Sequence, residues 1–174
     1  LGTASVHGAP AIIPRAPDIA ATSYILLDAK TGHIIIEENA DEALPPASLT
    51  KIMTAYIATE ELISGNLSLS DEVHISEKAW RMEGSKMFVG VDTNVRVDDL
   101  LRGIIIQSGN DASVAIAEHI AGSEEAFADM MNQYAEVLGM NTSFFMNSSG
   151  LDTDQYYNIM SARDLATLAR ATIV

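Results

Sequence analysis

Cysteine is absent from this 174-residue sequence, and basic residues are scarce in it. Without cysteine the chain can form no disulfide, supply no thiolate nucleophile and bind no metal through sulfur. Ten Lys and Arg residues stand against 24 Asp and Glu, which gives a formal net charge of −14. Nucleic acids and anionic lipid surfaces need the opposite sign, and no apolar run reaches the roughly 18 residues of a spanning helix. We therefore expect no nucleic-acid partner, and membrane attachment only through a segment outside these residues.

The composition is that of a folded protein with one domain. Hydrophobic residues make up 48% of the chain and charged residues 20%, so a sizeable core is available. The length suits one full domain and is too short for two ordinary ones. Residues 1–22 are rich in small residues and interrupted by prolines, which predicts a loosely held lead-in. We expect the domain to occupy residues 23–174.

Local patterns predict both strands and helices in this domain. Residues 23–28 and 33–37 are β-rich runs joined by a turn that contains Gly32, which indicates a hairpin. Both runs are apolar on successive residues, which predicts a sheet covered on both faces. Short alternating stretches occur within residues 71–97. Apolar periodicity and helix-end signals predict helices over the following segments: from Leu49 to Gly65, from Asp98 to Gln107, from Asp111 to Ile120, from Ser123 to Gly139, and from Ser161 to Val174.

A serine and a lysine three residues apart, Ser48 and Lys51, lie at the predicted start of the first helix. That spacing puts both side chains on one face, within reach of each other. The helix start favours a developing anion, and a lysine that is partly desolvated there is pushed toward its neutral form. A neutral amine beside a hydroxyl is a base beside a nucleophile. The alternative interpretation is that Ser48 only caps the helix.

A second polar element, Ser108-Gly109-Asn110, interrupts two apolar helical patterns. Polar groups between buried helices need partners, because an unpaired polar group in the interior is destabilising. We predict that Ser108 and Asn110 face Ser48 and Lys51 across a cleft. The alternative is a tight turn between two helices with no chemical role.

Two other tripeptides have the form of active-site elements but are interpreted as structural. Ser64-Gly65-Asn66 repeats the Ser-x-Asn pattern at the far end of the first helix, where its glycine serves as a cap. Lys30-Thr31-Gly32 matches the Lys-Thr-Gly element of penicilloyl-serine sites. It precedes Ser48 and forms the predicted hairpin turn, so we do not assign it a catalytic role.

The ordered set of segments resembles the low-molecular-mass penicillin-binding proteins, and in particular the serine D-alanyl-D-alanine carboxypeptidases. The resemblance covers residues 17–174 nearly without a gap. The segments that carry it are Leu-Asp-Ala-Lys-Thr-Gly at 27–32, Pro-Ala-Ser-Leu-Thr-Lys at 46–51, Gly-Ser-Lys-Met-Phe at 84–88, Ile-Ile-Gln-Ser-Gly-Asn-Asp-Ala at 105–112, Ala-Glu-His-Ile-Ala-Gly-Ser at 117–123, Leu-Gly-Met-Asn-Thr at 138–142 and Ser-Ala-Arg-Asp-Leu-Ala at 161–166.

The resemblance implies an α+β fold of the β-lactamase and penicillin-binding-protein type. An antiparallel sheet with flanking helices would pack beside an all-helical subdomain, with the active site between them. We expect residues 23–64 and about 160–174 on the sheet side, and about 65–159 in the mainly helical subdomain.

The resemblance also assigns roles to the candidate residues. Ser48 is the expected nucleophile, Lys51 the general base, Ser108 the proton relay, and Asn110 the amide that orients substrate and lysine. Gly84 and Ser85 are expected at the substrate-binding rim.

The same resemblance implies an activity and a place of action. The expected reaction removes the terminal D-alanine from peptidoglycan pentapeptide through an acyl-enzyme, and β-lactam antibiotics acylate the same serine. The expected location is outside the cytoplasm, in the periplasm or on the outer face of the cytoplasmic membrane. No metal or other cofactor is expected, because the four histidines show no ligand-like spacing.

Two departures from the family pattern modify these expectations. Many relatives carry a histidine where this chain has Ser149, which puts a rim role for that side chain in doubt. The family's catalytic Lys-Thr-Gly strand lies downstream of every segment present here. We therefore expect an N-terminal part of a catalytic domain, truncated before the C-terminal strands, and impaired catalysis by the 174-residue chain alone.

Other functions remain open at the level of sequence. A D,D-endopeptidase that cuts peptidoglycan cross-links would use the same chemistry. A fragment that binds wall peptides without turnover is an alternative of a different class. A class A β-lactamase is disfavoured, because Gly109 stands where such enzymes are expected to carry aspartate, and no deacylating Glu-x-x-x-Asn segment follows.

Overall fold

The computed structural model of the protein describes residues 17–153 and 157–173, so residues 1–16 of the predicted lead-in lie outside the described residues. The described residues combine helices with short antiparallel strands, which confirms the predicted α+β class. In chain order the elements are β1 (Tyr24–Leu27), β2 (Ile34–Glu38), a 3₁₀ turn (Ala47–Leu49), α1 (Thr50–Ser64), β3 (Glu72–His74), α2 (Glu77–Arg81), β4 (Asn94–Arg96), α3 (Val97–Gln107), α4 (Asn110–Ala121), α5 (Glu124–Leu138) and α6 (Ala162–Ile173).

The predicted hairpin is present, with β1 and β2 paired antiparallel. Its turn is closed by Asp28, whose carboxylate accepts hydrogen bonds from the backbone N–H and the hydroxyl of Thr31, both at 2.7 Å. The backbone N–H of Gly32 then donates to the Asp28 carbonyl at 2.8 Å. The Lys-Thr-Gly tripeptide at residues 30–32 is therefore a turn, as predicted.

The prediction that this sheet is covered on both faces is wrong for the described residues. Leu26 and Ile35 are 54% and 61% exposed. Helix α6 lies against β1, and Arg170 Nε donates to the Ala29 carbonyl at 2.9 Å. No described residue covers the exposed apolar side chains of the hairpin. The apolar pattern of the two strands therefore predicts more burial than the described residues provide.

A second antiparallel pair, β3 with β4, lies inside the region expected to be all-helical. Val73 and Val95 are directly opposite each other in this pair, and Val73 is buried. The alternating stretches within residues 71–97 thus form strands, as their pattern indicates. The implied all-helical subdomain is corrected to a mainly helical one.

Two clusters of buried side chains form the core, and α4 contributes to both. The first joins α4 to α2, α3 and β3, and the second joins it to α1, α5 and α6. Burial of each large side chain contributes roughly 1.5–3 kcal/mol. The largest fully buried side chains are Phe127, Phe145, Met53, Ile57, Ile75, Leu100, Ile116, Met131, Leu168, Val73, Val97 and Val114. Helices α1 and α4 both contribute to each cluster and therefore pack against each other.

The second cluster contains side chains from both predicted parts of the domain, the sheet side and the mainly helical subdomain. Phe127 belongs to the region 65–159, and Leu168 belongs to the region 160–174, yet both pack in this cluster. The boundaries near residues 64 and 160 stay a prediction.

Helix α6 begins with half of a capping box. The Ser161 hydroxyl accepts a hydrogen bond from the Asp164 backbone N–H at 3.1 Å. The Asp164 carboxylate instead accepts from the Thr142 backbone N–H at 2.9 Å and the Ser143 hydroxyl at 2.8 Å. The acid therefore ties α6 to the segment after α5, and does not complete the reciprocal box. No helix in the described ranges is long and apolar enough to cross a bilayer.

Candidate active site

Ser48 lies on the 3₁₀ turn that leads into α1, and its side chain is exposed. The preceding residue, Ala47, has φ +47, a conformation that non-glycine residues rarely adopt. The alternative that Ser48 serves as the helix cap is wrong. Leu49 occupies the N-cap position of α1, and no side chain caps it.

Lys51 lies in the first turn of α1 and is 4% exposed. Its ammonium nitrogen is 3.2 Å from the Ser48 hydroxyl oxygen, so the predicted contact is present. It also lies 2.7 Å from Asn110 Oδ1 and 2.7 Å from the Ser149 carbonyl oxygen. Three oxygen atoms from three separate segments therefore surround this one nitrogen.

Asn110 is the first residue of α4, where the second sequence element places it. Its Nδ2 donates to the Glu83 carbonyl at 2.7 Å, and its backbone N–H donates to the Ser85 carbonyl at 2.7 Å. Because Nδ2 is engaged by a carbonyl, the amide orientation is determined and Oδ1 faces Lys51. The tripeptide is an interhelical turn as well as part of the site.

Ser108, Ser48 and Lys51 line one cavity of about 330 Å³. Ser108 ends α3 in the left-handed conformation, with φ +57, which turns the chain toward α4. The rest of the lining is mainly apolar, from Ile52, Ala55, Ile104, Ile105 and Thr172. Ser108 thus shares this cavity with Ser48 and Lys51, whereas Asn110 contacts Lys51 and is not part of the lining. The chemical roles of these residues stay predictions.

Burial lowers the pKa of Lys51 from its ordinary value to about 8. A neutral amine has two N–H donors and one lone pair. The carbonyl oxygens of Asn110 and Ser149 can only accept, so they take both N–H groups. The lone pair is then left for the Ser48 hydroxyl, which can donate its proton to it. The contacts therefore orient Lys51 as a base toward Ser48 once it is neutral.

The Ser149 carbonyl is a site group that the sequence reasoning missed. The segment that carries it is fixed by the Thr54 hydroxyl, which donates to the Ser148 carbonyl at 2.6 Å, and by Asn147 Oδ1, which accepts from the Gly150 N–H at 2.7 Å. The doubt raised by Ser149 concerned its side chain, whereas the contact uses its backbone. Every residue has a carbonyl, so no residue type could signal this contact.

Gly84 and Ser85 lie behind Asn110. A side chain at Gly84, which has φ +75, would begin 2.9 Å from Asn110 Nδ2, and the Ser85 carbonyl holds the Asn110 backbone. Among the described residues, neither belongs to the lining of the Ser48 cavity. Their observed contacts support the site amide, and their assignment to substrate binding stays a prediction.

The second Ser-x-Asn tripeptide is structural, as interpreted. Gly65 ends α1 with φ +78, and Asn66 Nδ2 donates to the carboxylate of Glu61 on the same helix at 2.9 Å. The described residues also contain no group of three or more His, Asp or Glu side chains placed to hold a metal ion.

A family model described as D-alanyl-D-alanine carboxypeptidase, Peptidase_S11, matches residues 11–174. The chain belongs to this family. The D-alanyl-D-alanine carboxypeptidase DacC of Escherichia coli is 43% identical over 165 residues, which cover 91% of this chain and 41% of the relative. The D-alanyl-D-alanine endopeptidase of Escherichia coli is 30% identical over 157 residues, or 90% of this chain and 48% of the relative. The chain thus spans less than half the length of these curated relatives.

Solved structures show the same fold. The D-alanyl-D-alanine carboxypeptidase DacD from Francisella tularensis superposes with a TM-score of 0.89 at 43% identity, covering 96% of this chain and 40% of that one. Penicillin-binding protein D2 from Listeria monocytogenes, solved in its ampicillin-bound form, gives a TM-score of 0.81 at 26% identity over 92% of this chain and 64% of that one. The predicted family and fold are confirmed.

Proposed function

We propose that this chain carries the nucleophile half of a serine D,D-carboxypeptidase, which removes the terminal D-alanine from peptidoglycan pentapeptide. The observation that carries the proposal is the contact of a buried lysine with an exposed serine hydroxyl, with the two N–H groups of the neutral amine occupied by Asn110 Oδ1 and the Ser149 carbonyl. Family membership supports the choice of substrate.

In the acylation step, neutral Lys51 takes the proton of the Ser48 hydroxyl. The oxygen attacks the carbonyl carbon of the scissile D-alanyl-D-alanine peptide bond, and the tetrahedral adduct collapses with cleavage of the C–N bond. The leaving D-alanine amine needs one proton, which Lys51 returns through the Ser108 hydroxyl, which lines the same cavity. The product of this step is an ester between Ser48 and the penultimate D-alanine.

In the deacylation step, water attacks this ester. Lys51 again accepts a proton, and Ser48 Oγ leaves with a proton returned from the lysine, which restores the starting state. Asn110 keeps the amine aimed at Ser48 in both steps. The reaction consumes one water and releases free D-alanine and the shortened peptide, and no step requires a metal or another cofactor.

A β-lactam ring presents a strained amide to the same serine. Attack opens the ring, and the amine remains tethered to the acyl group, so the adduct keeps the whole mass of the antibiotic. The ampicillin-bound form of the Listeria monocytogenes relative supports this part of the proposal. Because peptidoglycan stem peptides are outside the cytoplasmic membrane, the proposed site of action is the periplasm or the outer face of that membrane.

A D,D-endopeptidase is the second candidate, because the Escherichia coli endopeptidase is also a relative. It would use Ser48 and Lys51 in the same way and differ only in the peptide bond that it cuts. The carboxypeptidase is preferred because the relatives with that name reach higher identity, 43% against 30%. A wall-peptide binder without turnover would not require a base directed at a serine.

The test is to locate the covalent adduct in the protein that the complete gene encodes. We expect intact-mass spectrometry to show one added penicillin, and peptide mapping to place it on the peptide that contains Ser48. Ser48→Ala should carry no adduct. Ser64→Ala, in the tripeptide interpreted as structural, should be labelled like the parent.

The substrate is tested by incubating the same protein with pentapeptide and with cross-linked muropeptide. Release of free D-alanine supports the carboxypeptidase, whereas cleavage of the cross-link without D-alanine release supports the endopeptidase. An adduct that persists in Ser48→Ala, or an unlabelled parent that binds stem peptide without cutting it, would contradict the proposal.

A further inference from the structure

Glu124 is a buried acid at the start of α5, where the sequence indicates only a helix-start charge. It is 7% exposed, whereas the side chain of the adjacent Glu125 is 77% exposed. A buried carboxylate is destabilising unless it is paired and hydrogen-bonded. The proposed reaction makes no direct use of Glu124, so its burial calls for another explanation.

We propose that Glu124 is a positioning residue for Lys51, which acts by fixing Ser148 and thereby the neighbouring Ser149 carbonyl that accepts the lysine N–H. The proposal rests on the proposed function, in which Lys51 is the base. In this proposal Glu124, which lies outside the Ser48 cavity, keeps the Lys51 amine oriented toward Ser48.

Ser148 is fully buried, and three hydrogen bonds restrain it. Glu124 Oε1 accepts from the Ser148 backbone N–H at 3.0 Å and from its hydroxyl at 2.7 Å. The Thr54 hydroxyl donates to the Ser148 carbonyl at 2.6 Å. Because the N–H, the carbonyl and the side chain of Ser148 are all engaged, the residue directly before Ser149 has little freedom. The next peptide unit, which contains the Ser149 carbonyl, is held further by Asn147 Oδ1, which accepts from the Gly150 N–H at 2.7 Å. That carbonyl is the 2.7 Å acceptor of Lys51 Nζ.

The carboxylate is itself held in place from two directions. Its second oxygen lies 3.0 Å from Lys78 Nζ on α2. The first turn of α5 supplies the positive end of a helix dipole, which stabilises an acid there. Glu125 shares Lys78, at 2.8 Å, but within the described part of the chain it forms no hydrogen bond to residues 147–150. Glu124 therefore supports the site, whereas the adjacent Glu125 forms only a surface ion pair. Substitution of Glu125 is thus the matched control for substitution of Glu124.

Charged groups on α4 and α6, the helices that carry them against α1, have partners of their own. No second ionisable side chain lines the cavity on its open side, among the described residues. On α4, the Asp111 carboxylate accepts from the backbone N–H groups of Met87 and Val89. On α6, Asp164 binds the segment after α5, and Arg170 binds the Ala29 carbonyl. The pKa of Lys51 is accordingly lowered by burial alone.

The proposal predicts a specific defect in Glu124→Ala. Ser148 loses two of its three restraints, the segment loosens, and water gains access to the ammonium group. The pKa of Lys51 should then rise from about 8 toward its ordinary 10.5. Glu124→Gln retains an Oε1 that can accept both hydrogen bonds from Ser148, so it should keep most of the parent behaviour.

The kinetic test separates binding from acylation by stopped-flow labelling with a fluorescent penicillin, in the protein that the complete gene encodes. We expect Glu124→Ala to lower the acylation rate constant about 10-fold at neutral pH, which is less than the 10²–10⁴-fold contribution of a general base, because Lys51 remains present and is only less well oriented. The dissociation constant of the non-covalent complex should not change, because Glu124 is not in the lining of the Ser48 cavity. Glu124→Gln should recover the rate, and Glu125→Ala should match the parent.

A Glu124→Ala protein in which only the labelled fraction falls, with the rate constant unchanged, has lost stability alone and overturns the proposal.

A second measurement does not depend on activity. NMR titration of lysines labelled with ¹³C at Cε, which leaves the amine unaltered, follows the Lys51 pKa directly, with the resonance assigned by its loss in Lys51→Arg. We expect an upward shift of the Lys51 midpoint in Glu124→Ala, and none in Glu125→Ala. An unchanged midpoint overturns the proposal even if the parent is an active carboxypeptidase. A shifted midpoint supports it even if the parent acts on another bond, so this failure and that of the proposed function are distinguishable.

Discussion

Replacing Lys51 with methionine is expected to lower the rate constant for acylation of Ser48 by about 10²–10⁴-fold, the usual contribution of a positioned general base. Methionine has a similar length and fills the same buried space, but it cannot accept a proton. The Ser48 hydroxyl then keeps its proton at neutral pH, because the substitution removes the amine that lies 3.2 Å from the hydroxyl oxygen. The nucleophile remains present but is not activated.

The same substitution should leave the folded state nearly as stable as that of the parent. Holding the Lys51 pKa at about 8 instead of 10.5 destabilises the protonated form by about 3 kcal/mol, and methionine removes that penalty. It also leaves Asn110 Oδ1 and the Ser149 carbonyl without a donor, at about 1–3 kcal/mol each. The opposing effects largely offset each other, so we expect a Tm within a few degrees of the parent at pH 7.

The stability of the parent should itself depend on pH. Between about pH 8 and pH 10.5 the unfolded chain holds a proton on Lys51 that the folded protein has lost. Unfolding therefore takes up a proton in this window, and the free energy of unfolding rises with pH across it. Lys51→Met should lack this rise, and Lys30→Met, in the hairpin turn, should retain both the rise and the acylation rate. A Lys51→Met protein that is acylated as fast as the parent would contradict the role of the lysine.

Gly150→Ala is expected to remove acylation and to destabilise the protein by several kcal/mol. Gly150 has φ +74, and a Cβ there would lie 1.8 Å from the carbonyl oxygen of Ala47 and 2.7 Å from Thr50 Oγ1. Neither neighbour can yield easily, since one is backbone and the other is buried in α1. The segment that carries the Ser149 carbonyl must therefore separate from the turn that carries Ser48.

Gly139→Ala is the matched control for this substitution. Gly139 also has a positive φ, +76, but no atom lies within 4 Å of the position that its Cβ would take. It should show only the conformational penalty of a left-handed alanine, roughly 1–2 kcal/mol, with normal acylation. Denaturant unfolding and penicillin labelling measure the two effects separately. Equal losses of stability in both variants would show that the close approach to Ala47 has no consequence.

The sequence was sufficient to single out candidate residues whose chemistry depends on their type. Ser48, Lys51, Ser108 and Asn110 stand out because a hydroxyl, an amine and an amide have few reasons to interrupt apolar helical patterns. The helix ends were equally accessible, since Gly65 and Gly139 close α1 and α5 as predicted. These features depend on local sequence, over spans of a few residues.

The parts that could not be predicted depend on long-range packing. Ser149 lies 98 residues from Lys51 along the chain and contributes a backbone atom, so neither spacing nor residue type marks it. Glu124 has the sequence context of an ordinary helix-start acid, and only the tertiary fold distinguishes its buried carboxylate from that of Glu125. For the first hairpin the sequence predicted more burial than the structure shows. An apolar pattern indicates that a strand favours burial, but it does not identify the elements that would cover the strand.

The most direct test of the central claim, that neutral Lys51 is the base for Ser48, is the pH dependence of the acylation rate constant, measured by stopped-flow with a fluorescent penicillin on the protein that the complete gene encodes. Deprotonation creates the active form, so the rate constant should rise with pH and level off above a single midpoint near the Lys51 pKa of about 8. A rate constant that does not vary across this range, or one that rises only near the ordinary lysine pKa of about 10.5, would contradict the claim.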